Sequence, residues 1–361
     1  MSHRFLTSVG GLAVVIAVMS LPAAPVAGQA QTAAAKTTAA ARTTDARSTD
    51  WTPPRTPWGD QDLQGLWNNS TSTPLQRPSQ FGEQEFFTDE EAAEFAEERA
   101  SELNRDRRDG GPEADINRTY NEHWMDPRRV KLTPDKRTAL IVDPPDGRIP
   151  PLVALTPEAE KRRAARAAAG RRFAEGMPHS YVDASLPFRC IIRTDRPPYL
   201  STSYSNTYQI FQSPGYVVIL VEMIHSARVI PVDGRPHLGK NIDQWLGDTR
   251  GRWEGTTLVI ETTNFRADDG VTYANADPET YRITERFTRA DANTLNYEFT
   301  VSDPKTWTRP WTARIPWTKT DDEQVFEYAC YEDNYDMVHL LAGGRAREKA
   351  ADEAAKRGST K

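Results

Sequence analysis

The sequence predicts a mainly β fold: an antiparallel barrel or sandwich with two peripheral helices. Three observations predict it. Past residue 185 the chain breaks into short apolar or alternating runs with no helical periodicity between them. The run at 216–224 is almost wholly apolar, as expected of a central strand buried on both faces. Turn residues separate the runs at Asp233-Gly234, 291–294 and 319–323, so consecutive strands pair antiparallel rather than crossing over through helices.

In chain order, residues 62–67 form a short opening strand. Thr88 and Glu91 make a capping box, opening a polar helix over 88–103. Residues 104–122 are charged and interrupted by Gly and Pro, and read as loop. A strand at 137–143 turns at Pro144-Pro-Asp-Gly147 and returns at 148–153 as a hairpin partner. Thr156 caps a helix with Pro157 at its first position, running over 157–173. Strands follow at 208–212, 216–224, 227–232, 256–263, 281–289, 294–301, 311–317 and 324–330. The segment from Ala342 is rich in Ala, Lys, Arg and Glu and reads as a frayed helix.

The two ends are distinct from this body. Residues 1–30 read as a signal peptide: Arg4 is the positive start, 12–21 the apolar core, and Ala27, Gly28 and Ala30 the small residues for cleavage. A core of about ten residues is too short for a membrane span. Residues 31–59 form a low-complexity, Pro-rich linker. A single β-rich domain spans 60–343, and 344–361 is a charged tail. The formal charge of −6 argues against nucleic acid as a partner. The basic residues Lys161, Arg162, Arg163 and Arg166 read as a solvated helix face.

There are two cysteines, Cys190 and Cys330. In an exported chain an even count favours a disulfide. It would close a loop of about 140 residues and contribute roughly 4–5 kcal/mol in the chain-entropy view. The alternative is two free thiols, one of them a nucleophile.

Several segments together resemble an uncharacterised family of exported bacterial β-rich proteins. They are residues 62–67, Leu140 to Gly147, Arg228 to His237, Trp253 to Glu261 and Tyr328 to Tyr335. The resemblance implies export and a β-rich fold, and carries no activity. The Gly65-Leu66-Trp67 opening is also similar to the Gly-x-Trp start of lipocalin-like (calycin) barrels, in which the tryptophan closes one end.

Candidate chemistry centres on residues 245–265, a knot of Trp, Gly, Asp, Arg and Glu that runs into a strand. Asp248 and Arg250, with Trp253 and Glu254, read as a loop with charged anchors beside aromatic walls. The bland reading of Asp248-Thr-Arg250 is a structural ion pair. His225, after the long apolar run, is a candidate acid/base, or else a hydrogen-bonded histidine at a strand end. Arg228 lies three residues on. Arg235 and His237 follow the turn at Gly234, where an arginine can hold a carboxylate bidentately and a histidine can titrate. Residues 303–311 are aromatic and Pro-rich, suited to packing over a barrel end or stacking on a planar ligand. Glu332, Asp333 and Asn334 follow Cys330 as secondary candidates.

No His-Glu-x-x-His, paired-Cys, Gly-x-Ser-x-Gly, phosphate-loop or dinucleotide motif occurs, so no metal or cofactor is expected. The leading expectation is an exported barrel that binds a small organic ligand through Arg228, Arg235, His237, Arg250, Trp253 and Glu254. The alternative is a hydrolase, lyase or isomerase on the same scaffold, with His225 and Asp248 as its catalytic pair. A third reading makes the charged Gly-Trp segment a purely structural turn.

Overall fold

The computed structural model describes residues 51–358 apart from 119, 269, 322 and 333. The signal-peptide reading, linker residues 31–50 and the candidate Asp333 lie outside the described residues.

Elements follow local sequence chemistry. β1 (Gly65–Asn68) opens the sheet. α1 (Asp89–Leu103) starts at the expected box: the Thr88 hydroxyl accepts from Glu91 N at 3.2 Å, and Glu91 accepts from Thr88 N at 2.8 Å. A short α2 (Gly111–Asn117), with Pro in its first turn, occupies part of the stretch expected to be loop. β2 is Ile141–Asp143. α3 (Pro157–Ala174) is capped by Thr156, whose hydroxyl accepts from Ala159 N at 3.2 Å.

The strands of the barrel then run β3 (Thr207–Ser213), β4 (Tyr216–Val221), β5 (Ser226–Pro231), β6 (Asp248–Glu254), β7 (Thr257–Thr263), β8 (Arg282–Arg289), β9 (Thr294–Ser302) and β10 (Trp311–Lys319). α4 (Asp336–Gly358) ends the described chain.

Nine strands form a nearly closed antiparallel barrel in the order β5-β4-β3-β1-β10-β9-β8-β7-β6. The seam lies between β5 and β6, where side chains rather than a backbone ladder join the edges. Arg228 Nε on β5 donates to Thr249 Oγ1 on β6 at 3.2 Å. Gly251 makes the approach possible: a Cβ there would lie 2.8 Å from Val232 and 3.0 Å from Ile230.

Alternation fills the lumen. Ile283, Glu285 and Phe287 of β8 face inward, as do Leu295, Tyr297, Phe299 and Val301 of β9, and Trp311, Ala313, Ile315 and Trp317 of β10. Tyr208 stacks on Trp317 at 4.3 Å between ring centroids, and Tyr297 lies 4.8 Å from Phe287. Trp67 is fully buried, and its indole N–H donates to Leu63 O at 2.9 Å. This barrel, consistent with a calycin-like fold, is therefore packed with aromatic side chains.

Four further expectations need correction. The apolar run at 216–224 stops being strand at Val221, because Ile224 and His225 both take left-handed backbone angles (φ 63° and 56°) and turn the chain into β5. Residues 148–153 form no hairpin strand; only Leu152 bridges, to Trp307. Pro150 and Pro151 offer no N–H to a ladder, and β2 pairs with β10 instead. Residues 324–330 form no strand either, because one edge of β10 is taken by β9 and the other by β1 and β2. Lastly, 248–254 is not a loop: it is β6, paired along its length with β7.

Cys190 and Cys330 are joined by a disulfide, with their Cα atoms 5.6 Å apart. It ties the segment before β3 to the one after β10, and is compatible with an extracytoplasmic location. No helix among the described residues is long and apolar enough to cross a membrane.

Candidate functional site

Three polar arrangements stand out. The first lies inside the barrel. Arg228 is 3% exposed and Glu285 is fully buried. Arg228 Nη1 donates to Glu285 Oε1 at 3.0 Å, and Nη2 donates to Glu285 Oε2 and, at 2.8 Å, to Thr262 Oγ1. The Tyr297 hydroxyl donates to Glu285 Oε1 at 3.0 Å, and Tyr199 Oη accepts from Arg228 at 3.3 Å. Burial acts to lower the Arg228 pKa, but Glu285 and Tyr199 together, by charge and by hydrogen bond, outweigh it and hold the guanidinium ionised. Burial pushes Tyr199 up to about 12. The donors and acceptors here already hold one another, as a buried charge requires.

The second lies on the outer face of β6. Asp248, only 2% exposed, accepts from Leu238 N at 2.9 Å and from Arg250 Nη1 at 2.7 Å, and lies 2.7 Å from His237 Nδ1. Arg250 Nε also donates to Pro236 O at 2.8 Å. This group clamps the connection between β5 and β6 against the barrel wall. His237 Nε2 is buried with no hydrogen-bond partner among the described residues.

The third is a cleft of about 320 Å³ between α3 and the connection from β7 to β8. Ala159, Arg162, Arg163 and Arg166 face it from α3, at the spacing that puts residues on one side of a helix. Arg266, Asp268, Asp277 and Lys305 line the opposite side, with Leu152, Val153, Ala274 and Pro278 among the apolar walls. Asp277 lies 3.3 Å from Lys305 Nζ and 4.0 Å from Arg162.

A more open cleft of about 520 Å³ lies where β3 begins and β4 ends, with Trp124, Phe326, Asp126, Arg128, Glu222 and Glu323 in its walls. Burial raises the Glu222 carboxyl above its ordinary range, and nearby Glu323 and Asp126 add to this. Burial also works to raise Asp126, but hydrogen bonds from Arg128 and Asn68 outweigh it and hold Asp126 low.

Of the eight residues singled out in the sequence, the fold brings three together: His237, Asp248 and Arg250. Arg228 is in the lumen, and Trp253 is half-buried against the same core. Glu254 points the other way, to Arg252 and Arg286, each at 2.9 Å. Arg235 is exposed, paired with Asp233 and donating to Tyr216 Oη at 2.8 Å. His225 is exposed in the turn between β4 and β5. Trp307 and Trp311 pack into the core with Tyr273, and Asp303 caps that loop by accepting from Asp277 N at 2.7 Å. Asn334 donates to Phe188 O at 3.2 Å. No group of three or more His, Cys, Asp or Glu with metal-binding geometry occurs among the described residues.

Sequence reasoning missed the cleft. Its signal was present as Arg162, Arg163 and Arg166 on one helical stripe with Ala159, but nothing in sequence showed that this stripe faces another wall. No family model, no curated protein and no solved structure matches the chain.

Proposed function

We propose that this protein is an exported small-molecule-binding barrel whose ligand occupies the outer cleft beneath α3 rather than the lumen. One observation carries the reading: the lumen is filled by buried aromatic side chains, whereas the cleft is walled on two sides and lined by both apolar and charged groups. Arg228, expected at a ligand pocket, serves in this reading as the internal partner of Glu285. Arg235, Trp253 and Glu254 lie away from the cleft lining and serve the barrel surface and wall.

The test is a thermal-shift screen of small organic molecules against the wild type, Ala159→Trp and Ala164→Trp. Ala159 lines the cleft, while Ala164 is exposed on the same helix. A ligand of the proposed site stabilises the wild type and Ala164→Trp but not Ala159→Trp. Hits that ignore Ala159→Trp sink the reading.

A second reading, acid/base catalysis on the same scaffold, is favoured by His237. Its Nδ1 faces Asp248 while its Nε2 has no hydrogen-bond partner among the described residues, the arrangement in which a carboxylate orients an imidazole for proton transfer. Turnover in a panel of hydrolase, lyase and isomerase substrates that is lost in His237→Ala, retained in His225→Ala, and accompanied by no fall in melting temperature would establish it.

A further inference from the structure

We propose that the ligand of the cleft beneath α3 is an organic anion, an apolar body carrying a carboxylate or phosphate head; this rests on the reading of that cleft as the ligand site. Charge comes first. Five cationic side chains and two carboxylates line the cleft, in a chain whose formal charge is −6. Just outside the lining, Asp243 also pairs Arg266 at 3.8 Å and Glu279 also pairs Lys305 at 2.9 Å, so the charge left for a ligand centres on Arg163. A cationic recess on an acidic protein focuses a local positive potential toward small anions, while the overall charge repels extended polyanions.

Second, the cations stand on both walls. Arg162, Arg163 and Arg166 come from α3, and Arg266 and Lys305 from the barrel side. Asp277 already illustrates the bonding between them: it lies 3.3 Å from Lys305 and 4.0 Å from Arg162. A ligand head placed beside it meets the same kind of donors. The Arg163 side chain makes no ion pair or hydrogen bond among the described residues, so its five N–H donors are open to such a head.

Third, the remaining walls are apolar. Leu152 lines the cleft while 63% exposed, and Val153, Leu155, Ala274 and Pro278 extend that surface. An inorganic anion would leave this surface wet, whereas an aryl or alkyl body covers it.

Isothermal titration tests the class with four probes of one shape: 2-naphthoate, 2-naphthyl phosphate, the neutral 2-naphthamide, and the cationic 2-naphthylmethylamine. At least one anion is expected to bind about ten-fold or more tightly than the amide, with affinity falling as salt rises. The better of the two anions identifies the head group. Arg163→Glu should weaken it about ten-fold or more without lowering the melting temperature, since Arg163 holds nothing in the fold. Ala159→Trp should abolish it. If the amide or amine binds as well as the anions and is lost in Ala159→Trp, the anion class is overturned while the cleft stays the ligand site. If the anions bind but ignore both substitutions, the cleft reading falls and this proposal with it. Failure of both anions to bind at millimolar concentration overturns the class.

Discussion

Arg228 on β5 and Glu285 on β8 face each other across the lumen, joined by two hydrogen bonds, with Tyr199, Tyr297, Thr249 and Thr262 completing the network. An ion pair this deep gains little over an apolar pair, because both ions lose their hydration. Breaking it costs much more, because one ion is left alone. Glu285→Gln is therefore expected to destabilise the fold by about 3–5 kcal/mol. Replacing both, as Arg228→Met with Glu285→Met, should recover most of that loss. Urea denaturation of the two variants decides it, and a double variant less stable than Glu285→Gln alone would contradict the account.

The β5–β6 seam depends on a missing side chain. Gly251→Val would drive its branches into Val232 and Ile230, which already stand 2.8 and 3.0 Å from a Cβ at that position. The expected loss is about 1–3 kcal/mol. Differential scanning calorimetry should show a lowered melting temperature. Gly255→Val at the nearby turn between β6 and β7 is the contrast: its cost comes from backbone angle alone (φ 63°), since no atom lies within 4 Å of its Cβ position.

Removing the Cys190–Cys330 bridge with Cys190→Ser and Cys330→Ser together should cost about 2–5 kcal/mol. The wild type in reductant should melt with the double variant. A melting temperature indifferent to reductant would mean that the bridge adds nothing to stability.

Asp195 carries a pH signature. It is 1% exposed and accepts hydrogen bonds from Arg193 N at 2.7 Å and from Ser226 Oγ at 2.8 Å. Burial nonetheless raises its pKa above the ordinary aspartate range. A raised carboxyl pKa means that the native state keeps a proton the unfolded chain releases. Its contribution is full at acid pH and is lost as pH climbs through the native value. Asp195→Asn cannot titrate, so the stability difference between variant and wild type should move in the variant's favour from about pH 4 to about pH 7. Urea midpoints across that range measure it, and a constant difference would refute the assignment.

The strand series, the capping box at Thr88, the helix opening at Thr156-Pro157 and the cysteine pair were all legible in the sequence. The first three rest on contacts between near neighbours in the chain or on the two-residue alternation of a strand, and local patterns record both. The disulfide spans 140 residues and was legible because the chain has only two cysteines. Where the reading failed, a distant segment decided. Residues 324–330 have strand-like composition, but β10 has no edge left to offer them. The polar segment at 248–254 looks like loop because its outward residues are charged, yet its inward residues, Thr249, Gly251 and Trp253, fit a barrel wall.

For the candidate site, residue order reveals which side-chain types are available: arginines, histidines and aspartates near turns. What each one meets follows from the way distant strands and helices come together. Arg228 and Glu285 are 57 residues apart and alternate correctly on their own strands, but nothing local says that those strands face each other across a lumen. The arginine stripe of α3 is likewise complete as a pattern, and its opposite wall comes from more than 100 residues further along the chain. Charge and periodicity are properties of short segments, whereas a pocket is a property of two surfaces brought together, and closing the barrel is what brings them together here.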